Sequence, residues 1–358
     1  MIKVAKWRIE KREKKPFAFV LSVLLLSVAS GLLVASIIFF LRGVNPLMAL
    51  NKIFAGSFGS IYGWKETITK AIPLILIGSG LCIVFSAKFW NIGAEGQLLM
   101  GAVGATLFGL FLCPKLHPAI LIPLMFLAGF IFGAIWGVIP ALLKVKLRIN
   151  ETIVTLMLNY IAAEFILFLI YGPWKGKTQF GFPYTDNFAK SLYLQTLPGS
   201  RIHIITLALG IIFAVGCWFL LFKTKFGYEI RITGANPEAG KYSGINTGKI
   251  LVLGMVISGG LAGLAGAGEI LGIHHRLCQP LTISSGYGFT AIIVAWLGNL
   301  NPLLVIVTSI FFGGLLVGGD AIKSSLGFPH ATIEIFNGLI LFFLLTLFFM
   351  LTLLFILT

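Results

Sequence analysis

The stretch Ala119-Ile-Leu-Ile-Pro-Leu-Met-Phe-Leu-Ala-Gly-Phe-Ile-Phe-Gly-Ala-Ile-Trp-Gly-Val-Ile-Pro-Ala-Leu-Leu143 decides the fold. It carries no charge, and about 20 apolar residues suffice to cross a hydrocarbon core of about 30 Å. Lys144, Lys146 and Arg148 follow at once. A long apolar run closed by a short basic loop reads as a transmembrane helix leaving the membrane on the cytoplasmic side. Gly129, Gly133 and Gly137 recur every four residues. Small residues at that spacing form a flat helix face against which a second helix packs closely.

The same ruler, carried outward, finds ten helices: 17–41, 67–87, 90–112, 119–143, 150–171, 203–222, 249–272, 286–298, 302–322 and 331–356. The eighth is short for a span and reads as a half-helix or a break. Composition agrees, with 58% hydrophobic and 11% charged residues among 358. The net charge of +15 alone would suggest a nucleic-acid binder, but so apolar a chain has too little polar surface to stay dissolved. Collagen, disordered and disulfide-framework classes are excluded by 32 Phe and only four scattered Cys, none in a C-x-x-C pair. The fold class is therefore an all-α polytopic membrane protein with no nucleic-acid partner.

Residues 1–16 hold Lys3, Lys6, Arg8, Lys11, Arg12, Lys14 and Lys15 against Glu10 and Glu13. The apolar run after them is too long for the core of a signal peptide. It reads as a retained anchor with a basic cytoplasmic N-terminus. Ten helices then return the C-terminus to the same side. Lys88, the loop 144–149 and the loop 223–248 face inward, and 172–202 is the main external loop. Residues 17–358 form one transmembrane domain. Two repeat-like halves, about 67–171 and 249–356, each hold a Gly-rich polar break, a longer helix and a helix with an Asn, Asn159 or Asn337. Their opposite orientation is the inverted-repeat pattern of transporters.

The loop Gly227-Tyr-Glu-Ile-Arg-Ile-Thr-Gly-Ala-Asn-Pro-Glu-Ala-Gly-Lys-Tyr-Ser-Gly244 carries the clearest local signals. Asn236 is a helix N-cap, Pro237 suits the first helical position, Glu238 meets the positive helix end, and Gly244 is a terminator. These predict a helix of about two turns outside the membrane, with Tyr242 and Ile245 as its apolar contacts. So short a helix needs support, from the membrane surface or from a partner protein. The loop is no phosphate-binding loop: five residues separate Gly234 from Gly240, and Tyr242 follows Lys241 where a Ser or Thr would bind magnesium.

Phe89-Trp-Asn-Ile-Gly-Ala-Glu-Gly-Gln-Leu98 places Asn91, Glu95 and Gln97 beside two glycines at membrane depth. Polar groups there face the bundle interior or a water-filled cavity. They line a pathway or form an interhelical hydrogen-bond cluster. Asn150 and Glu151 cap a helix that carries Asn159 and Glu164, and Glu269 lies near an outer helix end. No carboxylate pair, nucleophile–His pair or metal-ligand cluster marks an enzyme or a metal site.

Together these segments resemble the permease subunits of bacterial ABC importers, in the branch that holds ribose and branched-chain amino acid permeases. The likeness covers nearly the whole chain and points to the nucleoside and simple-sugar permeases. It rests on Asn91-Ile-Gly-Ala-Glu-Gly-Gln97, Asn150-Glu-Thr-Ile-Val-Thr-Leu-Met-Leu-Asn-Tyr160, Gly234–Gly244, Gly286-Tyr-Gly-Phe289 and Gly298-Asn-Leu-Asn-Pro302. The resemblance implies a type II importer fold with inverted repeats and a substrate pathway near Asn91, Glu95, Gln97, Asn159, Tyr287 and Phe289. It implies that Gly234, Asn236, Pro237, Glu238, Tyr242 and Gly244 meet a separate ATPase subunit. ATP and magnesium would then sit on that partner, with no cofactor in this chain. A second permease subunit, identical or paralogous, an external substrate-binding lipoprotein and the bacterial inner membrane complete the expectation. Thr290 and Ala291 depart from the acidic residue and glycine usual after the Gly-Phe of the family, and the Leu/Phe-rich end after Leu341 departs as well. Branched-chain amino acids are the alternative cargo. An ion-coupled secondary transporter using Glu95, Glu164 or Glu269 is the alternative class.

Overall fold

The computed structural model describes residues 17–41, 43–178 and 180–326, with 335, 338, 339 and 342 beyond them. The basic segment 1–16 and most of the tenth expected helix, with Asn337, lie outside the described residues. Among the described residues thirteen α-helices follow in order: α1 Phe17–Leu41, α2 Pro46–Phe58, α3 Ile61–Ser86, α4 Ala94–Thr106, α5 Pro118–Leu147, α6 Glu151–Tyr171, α7 Ile204–Lys223, α8 Lys225–Ala235, α9 Pro237–Tyr242, α10 Thr247–Glu269, α11 Pro280–Ser284, α12 Tyr287–Leu297 and α13 Pro302–Leu326. Helix α4 runs on into a π-helical turn, Leu107–Leu112, and α10 into another, Ile270–His274.

Among the described residues eight helices are long and apolar enough to cross a membrane, or nine if Ala29–Leu41 and α2 are counted as one bent span. The eight correspond to the second through ninth helices expected from the sequence. Three details differ. Residues 90–93 lie outside α4, in a break. The eighth span begins at Pro280 and is divided by Ser285 and Gly286, both with positive φ. The helix α2 had no counterpart in the sequence reading, because Asn51 and Lys52 interrupt its apolar character. Its start is nonetheless ordinary, with Pro46 in the first turn and the Asn45 side chain accepting from Leu47 N at 2.9 Å.

The chain divides into two compact units, residues 64–314 and residues 1–63 with 315–358. In the larger unit α4, α5 and α10 pack on one another, and glycine lets their backbones touch. A methyl group on Gly133 would collide with the Gly259 carbonyl, and one on Gly263 with the Gly129 carbonyl. One turn on from Gly263 along the same stripe of α10, a methyl on Gly266 would strike the Leu98 carbonyl of α4. The four-residue glycine spacing thus meets a matching spacing on α10. Helix α3 is the most enclosed span, with Leu74, Leu76, Ile77 and Leu81 wholly buried.

Candidate functional site

The break after α3 organises the interior. Lys88 adopts φ 55°, and the chain then runs unwound through Phe89–Gly93 before α4 begins. Unwound backbone at membrane depth must find hydrogen-bond partners inside the protein. Helix α6 supplies them from a stripe spaced by four: Glu151, Thr155 and Asn159. The Glu151 carboxylate accepts from Trp90 N at 3.4 Å and pairs with Lys144. Thr155 Oγ1 accepts from Ile92 N at 3.3 Å. Asn159 donates to the Ile92 carbonyl at 2.9 Å and accepts from Gly96 N at 2.9 Å, which caps the first turn of α4.

Asn91 and Gln97 close the other side. Asn91 Nδ2 donates to Gln97 Oε1 at 3.0 Å and to Ser258 Oγ of α10 at 3.2 Å, while Gln97 Nε2 donates to Asn91 Oδ1 at 3.0 Å. Asn91 Oδ1 also accepts from Gly93 N at 3.0 Å. Asn91 is wholly buried and Gln97 is 1% exposed, so both amides are engaged with protein groups.

A second helix begins against the first. Glu95 Oε2 accepts from Gly288 N at 2.8 Å, so the first turn of α4 caps the first turn of α12. A carboxylate at a helix N-terminus offsets the positive end of the dipole. Gly288 is required here, because a methyl on it would strike the backbone of Glu95. Two discontinuous spans therefore start at one junction. Tyr287 is buried beside it, whereas Phe289 is 43% exposed. Trp90, also 43% exposed, stacks on Trp296 with centroids 5.5 Å apart. On α6, Tyr160 is 64% exposed, and Glu164 one turn further also faces out of the chain.

Sequence reasoning located the polar residues of this junction and left open whether they line a pathway or tie helices together. The structure shows the ties; in the sequence Asn150 and Glu151 signal only a helix start, and the partnership of Glu151 with Thr155 and Asn159 is visible there only as a spacing by four. The outward direction of Glu164 and Tyr160 depends on which α6 face the neighbouring helices occupy, and no local signal gives that.

The loop 223–248 is an arm of two helices. Thr224 caps α8, accepting from Gly227 N at 3.1 Å. Asn236 caps α9, accepting from Glu238 N at 3.1 Å and from Ala239 N at 3.2 Å, with Pro237 in the first turn. Gly244 has φ +76°, which ends α9, and Lys241 pairs with Glu238 at 2.8 Å. The expected apolar contact of Tyr242 is corrected: among the described residues the ring is left 92% exposed. Gly234 is buried on α8, where a methyl would collide with the Ser86 carbonyl at the end of α3. Arg231 donates to the Leu221 carbonyl and lies over the Phe222 ring. The arm is thus seated on the ends of α3 and α7, with α9 projecting.

At the opposite end of the bundle Arg201 pairs with Glu66 through Nε at 3.1 Å and through a second guanidinium nitrogen. His274 lies 4.0 Å from Glu269. Among the described residues no group of three His, Cys, Asp or Glu side chains is placed to hold a metal ion.

Broken spans meeting at a hydrogen-bonded junction, with a capped helical arm outside the bundle, define a multi-pass membrane transport subunit. The comparisons with known proteins agree. The model of the family described as "Branched-chain amino acid transport system / permease component" matches residues 63–349, and the chain belongs to that family. It is 32% identical to the glucose ABC transporter permease protein TsgB13 of Haloferax volcanii, over 94% of this chain and 90% of that one. It is 32% identical to the guanosine ABC transporter permease protein NupP of Bacillus subtilis, over 90% and 92%. Its identity to a second permease from B. subtilis, the guanosine ABC transporter permease protein NupQ, is also 32%, over 69% and 78%. The chain is a permease component of an ABC transport system, a transport subunit and not an enzyme.

Proposed function

We propose that this permease carries nucleosides or simple sugars inward, driven by ATP bound with magnesium on a separate ATPase subunit that receives α9. The observation that carries the reading is the arm: a helix that supplies its own cap and ion pair and presents Tyr242 almost bare. A tyrosine held out on a capped helix is suited to anchor a partner, since tyrosines are enriched among the residues that carry interface energy. The names of the relatives, guanosine and glucose permeases, support the cargo class. The match to two permeases of one organism supports a paired arrangement, with a paralogue or a second copy as the other half.

In this reading the pathway runs between the two permease subunits along the open face of α6, with Phe289 at the start of α12. A carboxylate such as Glu164 facing out of a membrane span is costly against lipid and is tolerated against water or a protein partner. Asn91, Glu95, Gln97 and Asn159 hold the wall of that pathway from behind, and Tyr287 and Phe289 stand at its surface. The N-terminus faces the cytoplasm of a plasma membrane, and an external binding lipoprotein delivers the cargo. Branched-chain amino acids are the second cargo, from the family description. Family membership sets the ion-coupled class aside.

Radiolabelled uptake by the reconstituted complex, screened over nucleosides, pentoses, hexoses and branched-chain amino acids, tests the cargo. Replacing Asn236, Pro237 and Glu238 together tests the arm. Uptake and ATPase co-purification should both fall; unchanged values for both would remove α9 from the coupling.

A further inference from the structure

The membrane spans of the larger unit carry five carboxylates, Glu66, Glu95, Glu151, Glu164 and Glu269. All but Glu164 are buried. Glu66 pairs with Arg201 and Glu151 with Lys144, Glu95 accepts from Gly288 N, and Glu269 lies beside His274. Glu164 is exposed, and among the described residues no cation pairs with it. A helix rises about 1.5 Å per residue, so Glu164 stands about 20 Å from the start of α6 at Glu151 and about 10 Å from its end at Tyr171. That is hydrocarbon depth.

The face around Glu164 differs from the exposed faces of the neighbouring spans. From Ala119 to Val145 every exposed residue of α5 is apolar, and so is every exposed residue of α7 from Ile204 to Phe222. Such faces suit lipid tails, and a carboxylate does not. Helix α6 instead sets Tyr160 and Phe168 one turn to either side of Glu164, on one face. Both are exposed, and Phe165 stacks on Phe168 with centroids 6.4 Å apart. A carboxylate, a phenol and two rings thus lie side by side on the outer half of the span. No Lys or Arg occurs anywhere from Glu151 to Tyr171.

Each group asks for a different partner. A carboxylate accepts from two neighbouring hydroxyls, and the tyrosine hydroxyl gives or takes one hydrogen bond more. The phenylalanine rings cover the flat or apolar face of a cyclic molecule. An amino acid meets Glu164 with its ammonium group but brings a carboxylate that finds no cation on this helix and is repelled by Glu164. We propose that Glu164, with Tyr160 beside it, is the specificity-determining residue of the pathway. It accepts from two adjacent hydroxyls of a neutral cargo whose ring lies on Phe165 and Phe168. The inference rests on the reading that the pathway follows the open face of α6, and it selects nucleosides and sugars over branched-chain amino acids.

Uptake kinetics of the complex, reconstituted with the subunits that accompany this chain, provide the test. The probes are guanosine with 2′,3′-dideoxyguanosine, glucose with 2-deoxyglucose, and leucine. The parent should take up guanosine or glucose and discriminate against the matching deoxy compound. Glu164→Gln should lower kcat/KM for that cargo about ten-fold, chiefly through KM, the size of a hydrogen bond to a charged group. The same variant should shrink the discrimination against the deoxy compound, because the hydroxyl and the carboxylate are coupled. Tyr160→Phe should act in the same direction by about three-fold, as for a neutral hydrogen bond. A cargo whose KM and deoxy discrimination ignore Glu164→Gln overturns this inference and leaves the pathway reading standing. So does loss of the second permease subunit from the purified Glu164→Gln complex, which would make Glu164 a contact between subunits. A parent complex that takes up leucine, or neither hydroxylated cargo, overturns the cargo reading and this inference together.

Discussion

The junction at the starts of α4 and α12 and the arm ending in α9 use the same devices in opposite settings. Both rest on capped helix starts, with Asn159 and Glu95 in one and Asn236 in the other. At the junction each cap comes from a distant part of the chain and is buried, so its loss leaves donors with no water to turn to. In the arm the cap is local and exposed, and water replaces it at small cost. One region therefore holds the fold, and the other can be specialised for a partner without endangering it.

The largest effect should come from Asn159→Leu. It strands Gly96 N–H and the Ile92 carbonyl, and unpaired buried groups cost about 1–3 kcal/mol each. A loss of about 2–5 kcal/mol should appear as a sharply lower melting temperature and poor recovery of monodisperse protein. A variant as stable as the parent would mean that water reaches the junction. Gly288→Ala comes next, because the methyl meets the Glu95 backbone, and overpacking costs about 1–3 kcal/mol. The same melting measurement checks it, and restored stability in a smaller-to-larger series at 288 would deny the contact.

Burial alone can be separated from capping at His203, just before α7. Desolvation, and then the nearby His275, lower its pKa from 6.5 to about 4. Neither ring nitrogen has a hydrogen-bond partner among the described residues. The unfolded chain takes up a proton at this residue below pH 6.5 and the folded chain does so only near pH 4, so stability falls as pH drops between those values. From pH 7 to pH 5 the loss should be about 2 kcal/mol. His203→Phe should flatten that part of the melting-temperature profile; an unchanged slope would place the titration elsewhere. The smallest effect on stability belongs to Tyr242→Ala, within about 0.5 kcal/mol as for an exposed site. Co-purification of the ATPase should nonetheless drop, and full retention would show that the ring is not part of the docking surface.

Legibility in the sequence follows the same division. The arm was readable because Asn236, Pro237 and Gly244 act within a few residues of one another. The second through ninth helices were readable because each is an apolar run of membrane length. Helix α8 was not separated from its loop, since Lys225, Glu229, Arg231 and two glycines give it no apolar periodicity and its support comes from Ser86 and Leu221. At the junction the residue types were visible and their partners were not. Asn91 meets Ser258 across 167 residues, and Glu95 meets Gly288 across 193. The glycine spacing of α5 predicted a close neighbour without saying that α10 would provide it.

That neighbour bears on how the molecule changes shape. The main chains of α5 and α10 lie in direct contact at Gly129, Gly133, Gly259 and Gly263. A seam of backbone atoms has no side-chain slack to take up sliding or tilting. Helices α5 and α10 are thus locked to one another along this seam, and a change of shape within the larger unit has to carry the pair as one body.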